Sequence, residues 1–284
     1  MNPDAAIQLP AKPMTRSEMA RFIGRATVIG WRNRRAFGDV QTFAFLVGYP
    51  RSGSTLFGSM LNAHPEMVVA HEADILRYVR PGVTRNQLFA MLLERDRQFA
   101  LIGRRFNGFD YAMPGRDQGQ FTRLRVIGDK HAGRAARRIH ADPGRLDRLR
   151  STVGVPIRAV HLVRNPFDNI ASIARNQDYP VARGIEIYRE LSDAVDDVRG
   201  RLDPDELTEF RYEAMAARPT EVLTDVCRFL GVEPSAEYLR ACAALADPSG
   251  RQGRSTVDWT TDEREQVEAI IAARPVLAGY TFDQ

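Results

Sequence analysis

Leu46-Val47-Gly48-Tyr49-Pro50-Arg51-Ser52-Gly53-Ser54-Thr55-Leu56 decides how this chain is read. An apolar run, Thr42 to Val47, enters the stretch and a helical pattern from about Ser54 to Ala63 leaves it. That order spells strand, glycine turn and helix N-terminus. The first N–H groups of a helix have no intrahelical acceptor, and the peptide dipoles add positive potential at the same place, so the junction is an anion cradle. Gly48 and Gly53 have the Gly-x4-Gly spacing of a phosphate loop, and Thr55 stands where that loop carries its Ser or Thr. The residue before Thr55 is Ser54, not Lys, while a cation occurs three residues earlier as Arg51. The cradle fits an anion but lacks the side chain that grips the β- and γ-phosphates of a magnesium nucleoside triphosphate.

The chain has 284 residues, 44% hydrophobic and 27% charged, enough to bury a core in one large domain. Its net charge of +4 is spread along the sequence without interleaved aromatics, which argues against nucleic acid as a partner. Cys227 and Cys242 need not pair, so a reducing compartment fits. No run of about 18 apolar residues exists, and Pro10 and Pro13 interrupt the N-terminus where a signal peptide needs an unbroken apolar stretch. A cytoplasmic protein without a transmembrane segment is expected. Residues 1–40 read as a loose arm followed by a helix from Thr15 to about Arg35 that packs on the domain. Peripheral membrane contact through that basic amphipathic face is the competing reading. Residues 41–284 read as a single domain.

Met67-Val68-Val69-Ala70 is a short buried strand that delivers His71 and Glu72 at its carboxyl end, the edge of a parallel sheet where ligands collect. A glutamate there is by default a cap or an ion-pair partner. Residues 77–120 carry a helical pattern around Leu88, Met91 and Phe99, then a loop rich in aromatics and glycines, the expected acceptor-binding insert. Leu124 to Lys130 is another strand, and Lys130 is one of only two lysines. The arginine-rich segment Arg134 to Arg150 reads as helix. Ile157 to Val163 is a buried strand running into Arg164-Asn165-Pro166, and Pro166 suits the first turn of a helix that carries Ser172 two turns on. Arg164 therefore sits at a second strand-to-helix junction, and a planar guanidinium with a nearby hydroxyl suits a phosphate. Leu207 to Glu213 is a last strand, Pro219 to Leu230 a helix, and Thr260 with Glu263 a capping box opening a terminal helix. Between them lies a Gly/Arg/Ser loop with Arg251 and Arg254. The histidines lack metal-ligand spacing. The fold class that follows is α/β: a P-loop-type central parallel sheet of about five strands flanked by helices.

Gly48 to Leu56, then Val163-Arg164-Asn165-Pro166-Phe167-Asp168 with Ser172, then Arg211-Tyr212-Glu213 before a helix ending Phe229-Leu230-Gly231-Val232, resemble the ordered signatures of sulfotransferases that use 3′-phosphoadenosine 5′-phosphosulfate (PAPS). The likeness spans residues 43 to 260 and is nearest to the bacterial, carbohydrate and tyrosylprotein branch. It implies that Arg51, Ser52, Gly53, Ser54, Thr55 and Leu56 hold the 5′-phosphosulfate, and that Arg164 and Ser172 hold the 3′-phosphate. Arg251 and Arg254 are implied to close over the cofactor. The resemblance makes Glu72 the catalytic base, with Arg51 and Lys130 stabilising the transferring group and no metal taking part. It further implies adenosine 3′,5′-bisphosphate (PAP) as product and a hydroxyl acceptor that is a small molecule, glycan or lipid. His71 is the alternative base, as in the cytosolic small-molecule branch. Two departures stand out: His131-Ala132 follow Lys130 where the family often has Ser or Thr and then Pro, and the closing-loop pattern is only loosely matched. A P-loop kinase-like phosphotransferase and a catalytically inactive nucleotide-binding protein are the rival readings; the first would want Lys at position 54.

Overall fold

A computed structural model of the chain describes residues 15–106, 108–113, 115–246 and 252–283. The arm expected over residues 1–14 lies outside them. Helices α1 (Arg16–Arg32) and α2 (Arg34–Gly38) precede β1 (Thr42–Gly48), α3 (Ser54–Asn62) and β2 (Met67–His71). Helix α4 (Arg85–Leu101) leads to a small hairpin of β3 (Arg105–Phe106) and β4 (Phe109–Asp110). Strand β5 (Val126–Lys130) is followed by α5 (Ala132–Ala141) and α6 (Gly144–Val153), and β6 (Ile157–Val163) by α7 (Pro166–Gln177) and α8 (Val181–Arg199). The chain continues through β7 (Leu207–Arg211), α9 (Tyr212–Ala217), α10 (Pro219–Leu230), α11 (Ala236–Ala243) and α12 (Thr261–Ala272).

Five strands form one sheet in the order β2-β5-β1-β6-β7, every neighbouring pair parallel. Parallel sheets need helices on both faces, and the strand residues sort accordingly with a period of two. Phe43, Phe45 and Val47 of β1 join the layer of α1, α4, α5 and α8, whereas Ala44 and Leu46 join that of α3, α10 and α11. Because all five strands are parallel, their carboxyl ends lie along one edge. Gly48, His71, Lys130 and Val163 end their strands there, with His71 in register with Lys130 and Gly48 with Leu162.

Three details differ from the sequence reading. The arginine-rich segment is two helices, parted at Asp142 and Pro143. Tyr212 and Glu213 have turned from the last strand into α9. Helix α8 is a 19-residue element that the sequence reading passed over, although Ile185, Tyr188, Leu191, Val195 and Val198 form its buried stripe at helical spacing.

Candidate active site

The glycine loop is bent by residues in left-handed conformations. Gly48 has φ 137° and Gly53 φ 93°, and a Cβ on Gly53 would lie 2.6 Å from a ring carbon of Tyr212, so only glycine fits that position. The Ser52 hydroxyl donates to the Tyr49 carbonyl at 2.9 Å, and the Tyr49 ring stacks on Tyr188 of α8 at 4.3 Å. The first backbone bond of α3 runs from the Phe57 N–H to the Gly53 carbonyl at 3.1 Å. The N–H groups of Ser54, Thr55 and Leu56 therefore precede any intrahelical acceptor, and Gly53 supplies no side-chain cap. Arg51, at φ 69°, is one of five non-glycine residues with positive φ among the described residues. Glu72 and Asp74 are two of the others, so backbone strain is concentrated at this edge of the sheet.

The second junction meets the first. Arg164, nearly buried at the end of β6, donates through Nη1 to the Arg51 carbonyl at 2.9 Å, and its guanidinium lies 4.9 Å from the Tyr212 ring centre. Two turns along α7, the Ser172 hydroxyl accepts from Arg51 Nε at 3.2 Å. Arg51, Arg164 and Ser172 thus form one cationic, hydroxylated cluster beside the loop. Glu213 fixes the turn that carries Arg164, accepting from the Asn165 N–H at 3.0 Å and the Tyr280 hydroxyl at 2.7 Å.

On the other side of the loop, Lys130 reaches in from β5. Its Nζ donates to Thr55 Oγ1 at 2.9 Å and to Glu72 Oε1 at 3.1 Å, and its side chain is 4% exposed. Gly58 of α3 makes room for it, since a Cβ there would stand 2.8 Å from Lys130 Cγ. Burial lowers the Lys130 pKa against the pull of Glu72 and Asp129. For Glu72, burial alone would raise the carboxyl, but Lys130, His131 and Arg95 outweigh it and hold it below the ordinary glutamate value. His71 is stacked on Phe99 at 4.1 Å and meets the edge of Phe106 at 4.5 Å. Burial first, then Lys130 and Arg95, push His71 down to about 2, which leaves a neutral imidazole. Asp129, which the sequence reading did not single out, is buried and accepts the N–H groups of Ala73 at 2.9 Å and Ile75 at 2.8 Å. Those bonds clamp the turn that holds Glu72. Burial nevertheless pushes Asp129 up to about 7.

Part of this cluster opens onto a cleft of roughly 920 Å³, which Arg164, Ser172, His71 and Asp129 do not line. Arg51, Ser54, Glu72 and Lys130 line its inner end, and α5, α7 and α8 form its walls. No described residue of the 77–120 segment lines it. That segment is instead held by a buried Arg104–Asp96 pair and lays Phe106 against His71 and, at 5.8 Å, the Lys130 ammonium. Arg251 lies outside the described residues. Arg254, expected on the cofactor, points inward: it pairs with Asp168 at 3.0 Å and donates to the carbonyls of Thr281 and Phe282. All three of its nitrogens are engaged, so it straps the C-terminal segment to α7.

Among the described residues no group of three or more His, Cys, Asp or Glu side chains is arranged to hold a metal ion, and no helix is long and apolar enough to cross a membrane. A family model described as "Sulfotransferase domain" matches residues 41–247. No curated protein matches the chain. Similar solved structures include the sulfotransferase domain of the Synechococcus PCC 7002 olefin synthase, 20% identical over 82% of this chain and 95% of that one, with a TM-score of 0.48. The sulfotransferase domain from the curacin biosynthetic pathway is 15% identical over 82% of this chain and 97% of that one, TM-score 0.48. Mouse sulfotransferase SULT7A1 complexed with PAP is 14% identical, covering 84% and 87% respectively, TM-score 0.46.

Proposed function

Because this chain belongs to the sulfotransferase domain family, we propose that it moves the sulfuryl group of PAPS to a hydroxyl of a small-molecule, glycan or lipid acceptor, with Glu72 as base. The observation that carries this reading is the convergence on one loop of Lys130 and Glu72 from one side and Arg51, Arg164 and Ser172 from the other. The donor set suits a nucleotide with two anionic ends. Backbone N–H groups at the start of α3 and the Arg51 side chain would hold the 5′ end, and Arg164 with Ser172 the 3′-phosphate.

When bound, PAPS supplies a mixed anhydride whose phosphate is the leaving group. Lys130 and the loop N–H groups are positioned to stabilise charge that develops on the leaving and equatorial oxygens, a contribution of about 3 kcal/mol per donor in comparable oxyanion sites. Glu72, held ionised by Lys130, takes the acceptor's proton as the hydroxyl attacks, worth about 100-fold or more. His71 is the weaker candidate, because it is buried, enclosed by Phe99 and Phe106, and absent from the cleft that Glu72 lines. The reading is tested with Glu72→Gln, which keeps an oxygen for Lys130. Single-turnover transfer from labelled PAPS should fall by about 100-fold or more while PAP affinity changes less than about threefold. Undiminished transfer would remove Glu72 from the role.

A further inference from the structure

Beyond the inner end of the cleft, the wall chemistry is uneven. Arg134, Arg137 and Arg138 of α5, Arg145 of α6 and Arg183 of α8 all line it, against a single outer carboxylate, Glu190. Not all of these cations are available. Arg138 is engaged bidentately by Asp74, and Arg145 by Asp142 and the Leu76 carbonyl. The other three sit in solvent-exposed pairs. Arg134 lies 3.9 Å from Asp74, Arg137 lies 3.5 Å from Glu190, and Arg183 pairs at 2.7 Å with Glu186 one turn away on its own helix. Their side chains are 56%, 51% and 51% exposed, and exposed pairs of this kind contribute little, so an incoming anion can recruit these guanidinium groups at small cost.

Helix α5 adds to the same field. Its N-terminus lies on the cleft through Ala132 and Gly133, it has no side-chain cap and no acid in its first turn, and His131 before it has a buried Nδ1 without a hydrogen-bond partner. The phosphate-binding groups proposed for the nucleotide, Arg51, Arg164 and Ser172, are distinct from these arginines. The same cleft has an apolar component in Ile173, Tyr179, Ile187 and Leu191, beside the amides of Asn176 and Gln177. We propose that the acceptor is itself an anion: a hydroxyl compound with an apolar body and a carboxylate or phosphate, which Arg134, Arg137 and Arg183 hold while the hydroxyl is presented to Glu72. Steering by such a charged wall also makes acceptor capture dependent on salt. This inference rests on the sulfuryl-transfer reading above.

The test uses the full chain saturated with PAP and, in parallel, with labelled PAPS. The probes are p-coumarate and its methyl ester, ω-hydroxypalmitate and its methyl ester, and hydroquinone monophosphate. Calorimetry should show the anions binding at least about tenfold tighter than the esters. That gap should narrow with rising ionic strength and shrink to within about threefold in the R134Q/R137Q/R183Q variant, with PAP affinity reporting that the nucleotide site remains assembled. The ranking of carboxylates against the monophosphate tells which anion the site takes. Esters that bind or react as well as the acids, a gap that survives the triple variant, or no binding by any probe would overturn the proposal. Preferential binding of anions with no sulfuryl transfer from PAPS would keep the anion site and refute the transfer reading. Transfer to the esters alone would do the reverse.

Discussion

Replacing Lys130 by Met separates what this side chain does for stability from what it does for chemistry. Methionine keeps the apolar stem that Gly58 accommodates and removes the ammonium with its bonds to Thr55 and Glu72. Breaking a fully buried ion pair costs about 3–5 kcal/mol, because the surviving charge is stranded away from water. Here the survivor is Glu72, whose side chain is 29% exposed against 4% for Lys130, so it can be hydrated. The stability loss in Lys130→Met should therefore stay near or below about 1 kcal/mol, a shift in Tm of roughly 2–4 °C. The chemical loss is larger: removing one charge-stabilising donor costs about 3 kcal/mol in the barrier, roughly 100-fold in rate. The acid limb of the pH profile moves as well. Glu72 works ionised, and in the native protein Lys130 leads the influences that outweigh burial and keep its pKa below the ordinary value. With Lys130 gone, burial is opposed only by His131 and Arg95, so the pKa rises and activity fails at a higher pH as the solution is acidified. Measuring kcat/KM with labelled PAPS across pH, beside thermal melting, checks all three parts. A rate loss under about threefold, or an acid limb that does not move, would refute the reasoning.

Arg164→Ala should weaken PAP about 10-fold or more in calorimetry, since it removes a bidentate partner for the 3′-phosphate, while Tm changes little. Unaltered affinity would count against the assignment. Gly53→Ala forces a methyl to within 2.6 Å of Tyr212 at φ 93°, so we expect a loss of about 2 kcal/mol or more in chemical denaturation together with weaker PAP binding; a variant as stable as the parent contradicts the geometry. Away from the cleft, burial would raise Glu209, but His161 at 2.7 Å and Arg199 outweigh it and bring it from 4.5 down to about 2. A depressed carboxyl stabilises the fold above its unfolded value and loses that contribution as pH falls through the folded one. Glu209→Gln should thus be less stable than the parent at neutral pH, by about 3 kcal/mol as a ceiling, with the difference closing between pH 4.5 and about 2.

The elements that the sequence makes plain are those with a local signature. Thr42 to Val47 and Ile157 to Val163 read as buried strands because a parallel sheet covered on both faces must be apolar throughout. The loop glycines, Pro166 at the start of α7 and the Thr260–Glu263 capping box are likewise local chemistry. What escaped depends on partners far away in the chain. Asp129 clamps the Glu72 turn through Ala73 and Ile75, 56 and 54 residues earlier, and nothing around Asp129 announces it. Tyr212 and Glu213 support Gly53 and Arg164 by contacts that no spacing rule encodes. Arg254 looked like a phosphate ligand in a glycine-arginine loop, but its partner Asp168 stands 86 residues away and turns it inward. Helix α8 has a weak local signature because arginines and acids crowd the gaps in its apolar stripe, although Arg183, Ile187, Glu190 and Leu191 on it line the cleft. The 77–120 segment drew notice for its aromatics; Phe99 and Phe106 pack on His71 instead of lining the cleft.

The central claim is transfer of a sulfuryl group from PAPS. Incubating the full chain with labelled PAPS and a host-cell extract, then following both products by mass spectrometry, tests it most directly. An acceptor that gains one sulfuryl group for each PAP released, with the yield collapsing in Glu72→Gln, is the predicted result. Intact PAPS beside a magnesium-dependent transfer of phosphate from ATP would contradict it.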